Sequence, residues 1–204
     1  MNKNIVLHSL RLSQIKLLSL DVDGVLTDGG IYYSDKGDSY RKFNAKDGVG
    51  ISQILDAGVQ VCIISAGDTG AIQARAKRLN INHVYTNVHD KLSILAKLAK
   101  KLNLKMSQIA HVGDDLNDLD VFKEVGLSIT VNDAVAPVLS AAEARSMEAR
   151  PWMPASEETL RPLLLASRSR PSTLLTSALA SAARSAPSVT LAALAAAAKL
   201  AEPV

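Results

Sequence analysis

Apolar residues in this chain come in short runs separated by longer amphipathic stretches. Leu17-Leu18-Ser19-Leu20 has the length of a buried strand and breaks off at Asp21-Val22-Asp23-Gly24. Val59 to Ile64, His83 to Thr86, Ile109 to Gly113 and Leu127 to Val131 repeat the pattern, and the last of these reads as the final strand. Between the runs, apolar residues recur at helical spacing. Ile51 to Ala57 reads as a helix after a polar turn (residues 44–50), with Gly58 as its C-cap. Ala71 to Leu79 carries Ile72, Ala76 and Leu79 on one face. Asp90 caps a helix from Lys91 to Leu102, whose stripe is Leu92, Leu95, Leu98 and Ala99. A helix through Val121 and Phe122 stops at Gly126, and another runs from Ala134 to Ala142. Strands alternating with helices build right-handed βαβ units, which predicts an α/β fold: a doubly wound parallel sheet covered on both faces. One segment breaks the alternation. Ile31 to Phe43 has two β-prone arms around a turn at residues 34–38, a β-hairpin placed directly after the two aspartates. It is either a flap over a site or a surface hairpin.

In doubly wound sheets, ligands bind beyond the carboxyl ends of the strands. Asp21, Ser65 and Asp114 each follow a strand. Residues two apart on a strand point the same way, so Asp21 and Asp23 can converge if the chain turns after Asp21. Two such carboxylates suit a cation and an electrophile: Asp21 could attack phosphorus while Asp23 handles the leaving-group proton. Asp and Gly are also ordinary turn residues, and the pair alone could do no more than cap a turn. Three polar strand ends on one edge favour a site.

Composition narrows the function classes. The chain has 204 residues, enough for one domain with a sizeable core, and a net charge of +3 without a dense Lys/Arg run, so nucleic acid is not an expected partner. Cys62, the only cysteine, lies in an apolar run and reads as a buried thiol. Met1 to Lys16 lacks a signal-peptide pattern, and no window approaches the ~18 apolar residues of a membrane span; a cytoplasmic protein without membrane contact is expected. His8, His83, His89 and His111 show no metal-ligand spacing. Near Ala142 the composition changes. Residues 141–204 contain no Gly, Ile, Asn, Phe or Tyr, and arginine displaces lysine. The expected division is a catalytic domain over residues 1–143 and an Ala/Arg/Pro/Ser-rich, poorly ordered tail over 144–204, in which Val189 to Ala201 could form a short Ala-rich helix. The tail looks like translated GC-rich sequence under no packing constraint, as a shifted frame or replaced terminus would give; an unusual but genuine tail is the alternative.

Asp21-x-Asp23, then Ser65 after a strand, Lys91 at a helix start, and Gly113-Asp114-Asp115-x-x-Asp118 stand in the order of the motifs of the haloacid dehalogenase superfamily, which the chain resembles. The stretches 21–29, the hairpin, 43–51, 90–92 and 113–118 resemble the 3-deoxy-D-manno-octulosonate 8-phosphate phosphatase family, over residues 14–140. That resemblance implies a fold with a hairpin flap and no separate cap domain, and a homotetramer in which flaps pack together. It implies an Mg²⁺-dependent hydrolase acting on a sugar acid phosphate. Asp21 would be the nucleophile, Asp23 the acid and base, Ser65 a hydrogen-bond donor to phosphate, and Lys91 the balancing cation. Mg²⁺ would sit on Asp21, the backbone carbonyl of Asp23, and Asp114, with Asp115 and Asp118 orienting Asp114. Lys46, Asp47 and Gly67 would lie near the substrate. The chain departs from the family pattern at Ser65-Ala66-Gly67-Asp68, where Thr-Gly-Arg is usual, and in having no glycine after Gly126. The first departure leaves open another nine-carbon sugar acid phosphate or small phosphomonoester as substrate. A catalytically silent oligomeric scaffold is the alternative from a different class.

Overall fold

The computed structural model describes residues 12–145. In chain order these form β1 (Leu17–Leu20), a hairpin of β2 (Tyr32–Tyr33) and β3 (Ser39–Tyr40), α1 (Ala45–Asp56), β4 (Gln60–Ile64), α2 (Gly70–Arg78), β5 (His83–Tyr85), α3 (Lys91–Lys101), β6 (Ile109–Val112), α4 (Leu119–Glu124), β7 (Leu127–Thr130), α5 (Ala136–Ala141) and β8 (Ala144–Arg145). Short 3₁₀ turns precede β6 and α4. The readings of the N-terminus before residue 12 and of the tail beyond residue 145, including the Ala-rich helix, lie outside the described residues.

Six strands pair in parallel in the order β5-β4-β1-β6-β7-β8. The chain lays β4 and β5 on one side of β1 and then crosses to place β6, β7 and β8 on the other. β1 is therefore the switch point, with its carboxyl end flanked by those of β4 and β6. The apolar run of β1 is buried on both faces. Leu18, Leu20 and Val22 pack with Ile51, Ile54 and Ile72 of α1 and α2. Leu17 packs with Leu95, Leu98 and Val121 of α3 and α4. Each such buried aliphatic side chain contributes about 1.5–3 kcal/mol. Ser19, on the face of Leu17, is buried opposite Cys62 and His111 in register. Burial pushes the Cys62 thiol up to about 12, which makes it unreactive.

Two elements differ from the sequence reading. α1 starts at Ala45, more than a turn before Ile51, because the segment read as a polar turn carries its own cap: Asn44 Oδ1 accepts from the Lys46 backbone N–H at 3.0 Å. Gly48 allows α1 to approach α2 closely; a Cβ there would stand 3.1 Å from Leu79 Cδ2 and 3.2 Å from Arg75 Nη2. The second difference is β8, an edge strand beyond the expected last one, with Ala144 and Arg145 in register with Ile129 and Thr130. The hairpin turns at residues 34–38 as expected, closed by Ser34 and Asp38, and its base is tied by a bridge between Thr27 and Phe43. Among the described residues no helix is long and apolar enough to cross a membrane.

Candidate active site

Asp21 continues the ladder of β1, its N–H donating to Val112 O at 3.0 Å. By the period of two it faces the same side as Leu17 and Ser19, toward the start of α3. There Lys91 Nζ meets Asp21 Oδ2 at 2.8 Å and Asp118 Oδ1 at 2.7 Å, with its side chain wholly buried. Asp21 Oδ1 accepts from the Val22 N–H at 2.7 Å. Asp118 is saturated. Lys91 Nζ and His111 Nε2 (2.8 Å) reach its Oδ1, and the N–H groups of Asp114 (3.1 Å) and Asp115 (3.3 Å) donate to Oδ2. His111 Nδ1 lies 2.9 Å from Ser19 Oγ. With Nε2–H donating to Asp118, Nδ1 can accept from the serine hydroxyl. Burial disfavours charge on Asp118, but His111 and Lys91 outweigh it and hold its carboxyl below the usual range. For Asp21, burial prevails over Lys91, with Asp118 adding to it, and the carboxyl lies above the usual range. Burial opposes the charge of Lys91, yet the two carboxylates keep it above an ordinary lysine.

The cluster holds more carboxylates than cations. Oxygens of Asp21, Asp114 and Asp118 lie within 4.8 Å of one another. Burial first, then the charges of Asp21 and Asp118, push Asp114 up to about 7. Its Oδ1 is buried without a hydrogen-bond partner. The backbone opens room for this carboxylate at Gly24, which has φ +91° and where a Cβ would overlap Asp114 Oδ2. A buried, unpartnered carboxylate oxygen beside a second carboxylate fits a hard, oxygen-seeking cation. Asp118, with four donors already on it, fits the part of an anchor for Lys91 and for the Asp114 backbone.

The sequence-nominated residues separate into groups. Asp21, Lys91, Asp114 and Asp118 meet in one buried cluster. Asp23, two residues on, has turned to another cation: Arg41 Nε donates to its Oδ1 at 2.6 Å and Arg41 Nη2 to its Oδ2 at 2.9 Å. Ser65 is buried after β4; its N–H donates to Tyr85 O, and its Oγ accepts from the Gly67 N–H at 3.1 Å. A Cβ on Gly67 would stand 3.0 Å from Asp23 Oδ2 and 2.9 Å from Arg41 Nη2, which brings Gly67 to the mouth of the same site. Asp115 is exposed and caps the 3₁₀ turn through the Leu116 N–H at 2.7 Å. Lys46 is exposed in the first turn of α1. Asp47 is buried and faces Arg75, which partly offsets the burial that pushes this carboxyl up to about 6. Asp68 is exposed. Sequence reasoning missed Arg41 and His111. Arg41 sits in a hairpin arm with no motif around it, and His111 looks like one apolar-strand residue among others. The one usable signal was the charge balance, since Asp23 needs a cation that the nearby sequence lacks.

A family profile of haloacid dehalogenase-like hydrolases matches residues 74–147. The chain is 42% identical over 120 residues to the 3-deoxy-D-manno-octulosonate 8-phosphate phosphatase KdsC of Escherichia coli (strain K12), covering 59% of this chain. It spans 64% of that relative's length, just under two thirds. The fold is similar to the crystal structure of the 3-deoxy-D-manno-octulosonate 8-phosphate phosphatase from Yersinia pestis: TM-score 0.67, 37% identity, 68% of this chain and 75% of that one. It is also similar to the Moraxella catarrhalis enzyme of the same name, solved with magnesium, phosphate and KDO: TM-score 0.68, 32% identity, 72% of this chain and 83% of that one. With likeness of this degree over most of two solved relatives, the chain belongs to the haloacid dehalogenase-like hydrolases, in the family of the 3-deoxy-D-manno-octulosonate 8-phosphate phosphatases.

Proposed function

We propose that this chain is an Mg²⁺-dependent phosphomonoesterase whose substrate is a sugar acid phosphate, 3-deoxy-D-manno-octulosonate 8-phosphate in the first place. The observation that carries the reading is the buried Asp21–Lys91–Asp118 cluster with the unpartnered Asp114 oxygen beside it. Asp21 attacks phosphorus; an Asp21 oxygen–phosphorus bond forms, the bond from phosphorus to the sugar oxygen breaks, and Asp23 gives that oxygen its proton. Water then attacks the phosphoaspartate, Asp23 takes the water's proton, and Asp21 leaves as the free carboxylate. Lys91 stays fixed between Asp118 and Asp21, and its charge offsets the repulsion between carboxylate and phosphate. The Ser65 hydroxyl hydrogen-bonds a phosphoryl oxygen, and Asp118 and His111 hold Lys91 and the Asp114 backbone in place. Mg²⁺ would be held by the Asp21 and Asp114 carboxylates and the Asp23 backbone carbonyl, and when bound it supplies positive charge against the phosphate. Gly67 borders the substrate, and Lys46 and Asp47 at the start of α1 are the further candidates for contacting it.

The exposed Ile31, Tyr32, Tyr33 and Tyr40 of the hairpin support a homotetramer in which flaps pack together, since a bare apolar hairpin is an association surface. A buried, unreactive Cys62 suits a reducing, cytoplasmic setting. Phosphate release across a panel of sugar phosphates, with and without EDTA, tests the reading, with Asp21→Asn as control. Turnover of the octulosonate phosphate is expected to vanish with EDTA and in the variant. Asn keeps the shape of Asp21 but is no nucleophile, so sustained turnover by the purified variant would exclude a phosphoaspartate.

A further inference from the structure

Arg41 is the strongest contact in the site that the proposed chemistry leaves unused. It follows β3 at the foot of the hairpin. Its guanidinium grips both oxygens of Asp23, at 2.6 and 2.9 Å, and Nη1 donates to Thr69 Oγ1 in the loop after β4 at 3.2 Å. The Arg41 side chain is 5% exposed and that of Asp23 30%, so the cation is sheltered while its partner borders the opening. One side chain thus joins the flap, the turn after β1 and the loop after β4. A bidentate guanidinium–carboxylate pair is geometrically specific, and a lysine cannot reproduce it.

This pair conflicts with the work assigned to Asp23. A carboxyl that hands a proton to a sugar oxygen must first carry that proton on one of its own oxygens, which weakens that oxygen as an acceptor for the guanidinium. Arg41, sheltered as it is, would then lose charge-assisted bonds unless another anion took Asp23's place. The substrate class proposed above brings two anions. Its phosphate would go to Asp21, Lys91 and Ser65, which leaves its carboxylate to be met by another cation of the site.

We propose that Arg41 reads the carboxylate of the substrate, and that in accepting it Arg41 releases Asp23 to serve the leaving-group oxygen. The exchange replaces one bidentate carboxylate by another, with no covalent change at Arg41. A neutral sugar phosphate offers nothing in return and leaves Asp23 engaged. Recognition and acid catalysis are coupled through one side chain, so specificity for sugar acids appears in turnover as well as in binding. The inference rests on the phosphatase reading above.

The test compares the full chain with Arg41→Gln and Arg41→Lys, with Mg²⁺ present and folding checked by thermal unfolding. Kinetics are measured with 3-deoxy-D-manno-octulosonate 8-phosphate and with glucose 6-phosphate, which has the phosphate and no carboxylate. Binding of the free octulosonate is measured by calorimetry. In Arg41→Gln, the ratio of kcat/KM for the acid over the neutral substrate is expected to fall about tenfold or more, through a higher KM for the acid and, with Asp23 no longer engaged, a higher kcat for glucose 6-phosphate. Octulosonate binding is expected to weaken in parallel, and Arg41→Lys to recover part of both. If the wild-type chain is active but both substrates lose equally, or octulosonate binding is unchanged, Arg41 is a structural clamp and the inference is overturned. If the wild-type chain hydrolyses no phosphomonoester, the phosphatase reading falls and takes the inference with it.

Discussion

Asp47 shows how a single buried acid can tie stability to pH. Burial in α1 pushes its carboxyl from 3.8 up to about 6, against the opposing charge of Arg75. A carboxyl raised in the folded state favours folding when protonated. That contribution is whole below pH 4 and is lost as pH rises through about 6. Two units correspond to about 3 kcal/mol at most, and about 1–3 kcal/mol is a fair range. Asp47→Asn removes this dependence. The variant should be more stable than the wild type by about 1–3 kcal/mol at pH 7.5, with the gap closing toward pH 4.5. Urea unfolding at the two pH values measures it, and the comparison cancels every other titration in the protein. A gap of the same size at both values would mean that the Asp47 carboxyl is not perturbed in the folded state.

At the scale of elements, Arg75 of α2 fastens the start of α1 to the foot of the hairpin. Its Nη2 donates to Asn44 O at 2.6 Å, its guanidinium lies 5.7 Å from the centre of the Phe43 ring, and it faces Asp47. Arg75→Ala removes a hydrogen bond and a cation–π contact and strips a buried carboxyl of its cation, for a loss of about 2–3 kcal/mol. Thermal unfolding of this variant should show the drop; an unchanged midpoint would place the stability of this corner in the apolar contacts of α1 alone. The same corner explains what the sequence could and could not reveal. β1, β4 and β6 were legible because a parallel strand buried on both faces must be an apolar run, and each ends where the helix–loop alternation predicts. Asp21, Lys91 and Asp114 were legible because strand ends and helix starts are fixed by those runs. The start of α1 was not, since Gly48 reads as a turn residue until Arg75 and Leu79 are seen packed against it. β8 was not, because two residues on a sheet edge carry no alternation. Arg41 was not, because its partner Asp23 is eighteen positions away and only the fold of the hairpin joins them.

At the scale of the molecule, the proposed catalytic groups fall between Asp21 and Asp118, and every strand that positions them lies upstream of β8. β8 completes the edge of the sheet beside β7, so it belongs with the fold. The exposed side chains proposed to join subunits, Ile31, Tyr32, Tyr33 and Tyr40, stand on the hairpin near the start of this span. Neither the site nor the association surface as proposed draws on residues beyond 145. A chain shortened to end after Arg145 should therefore match the full chain in unfolding free energy within about 1 kcal/mol, the range for changes away from packed features. It should also keep the same kcat/KM and the same tetrameric mass by light scattering. Loss of activity on shortening, with mass and stability retained, would assign the residues after 145 a part in closing the site over substrate. A fall to monomer would assign them to assembly instead, and a full-length chain already monomeric at micromolar concentration would sink the tetramer itself.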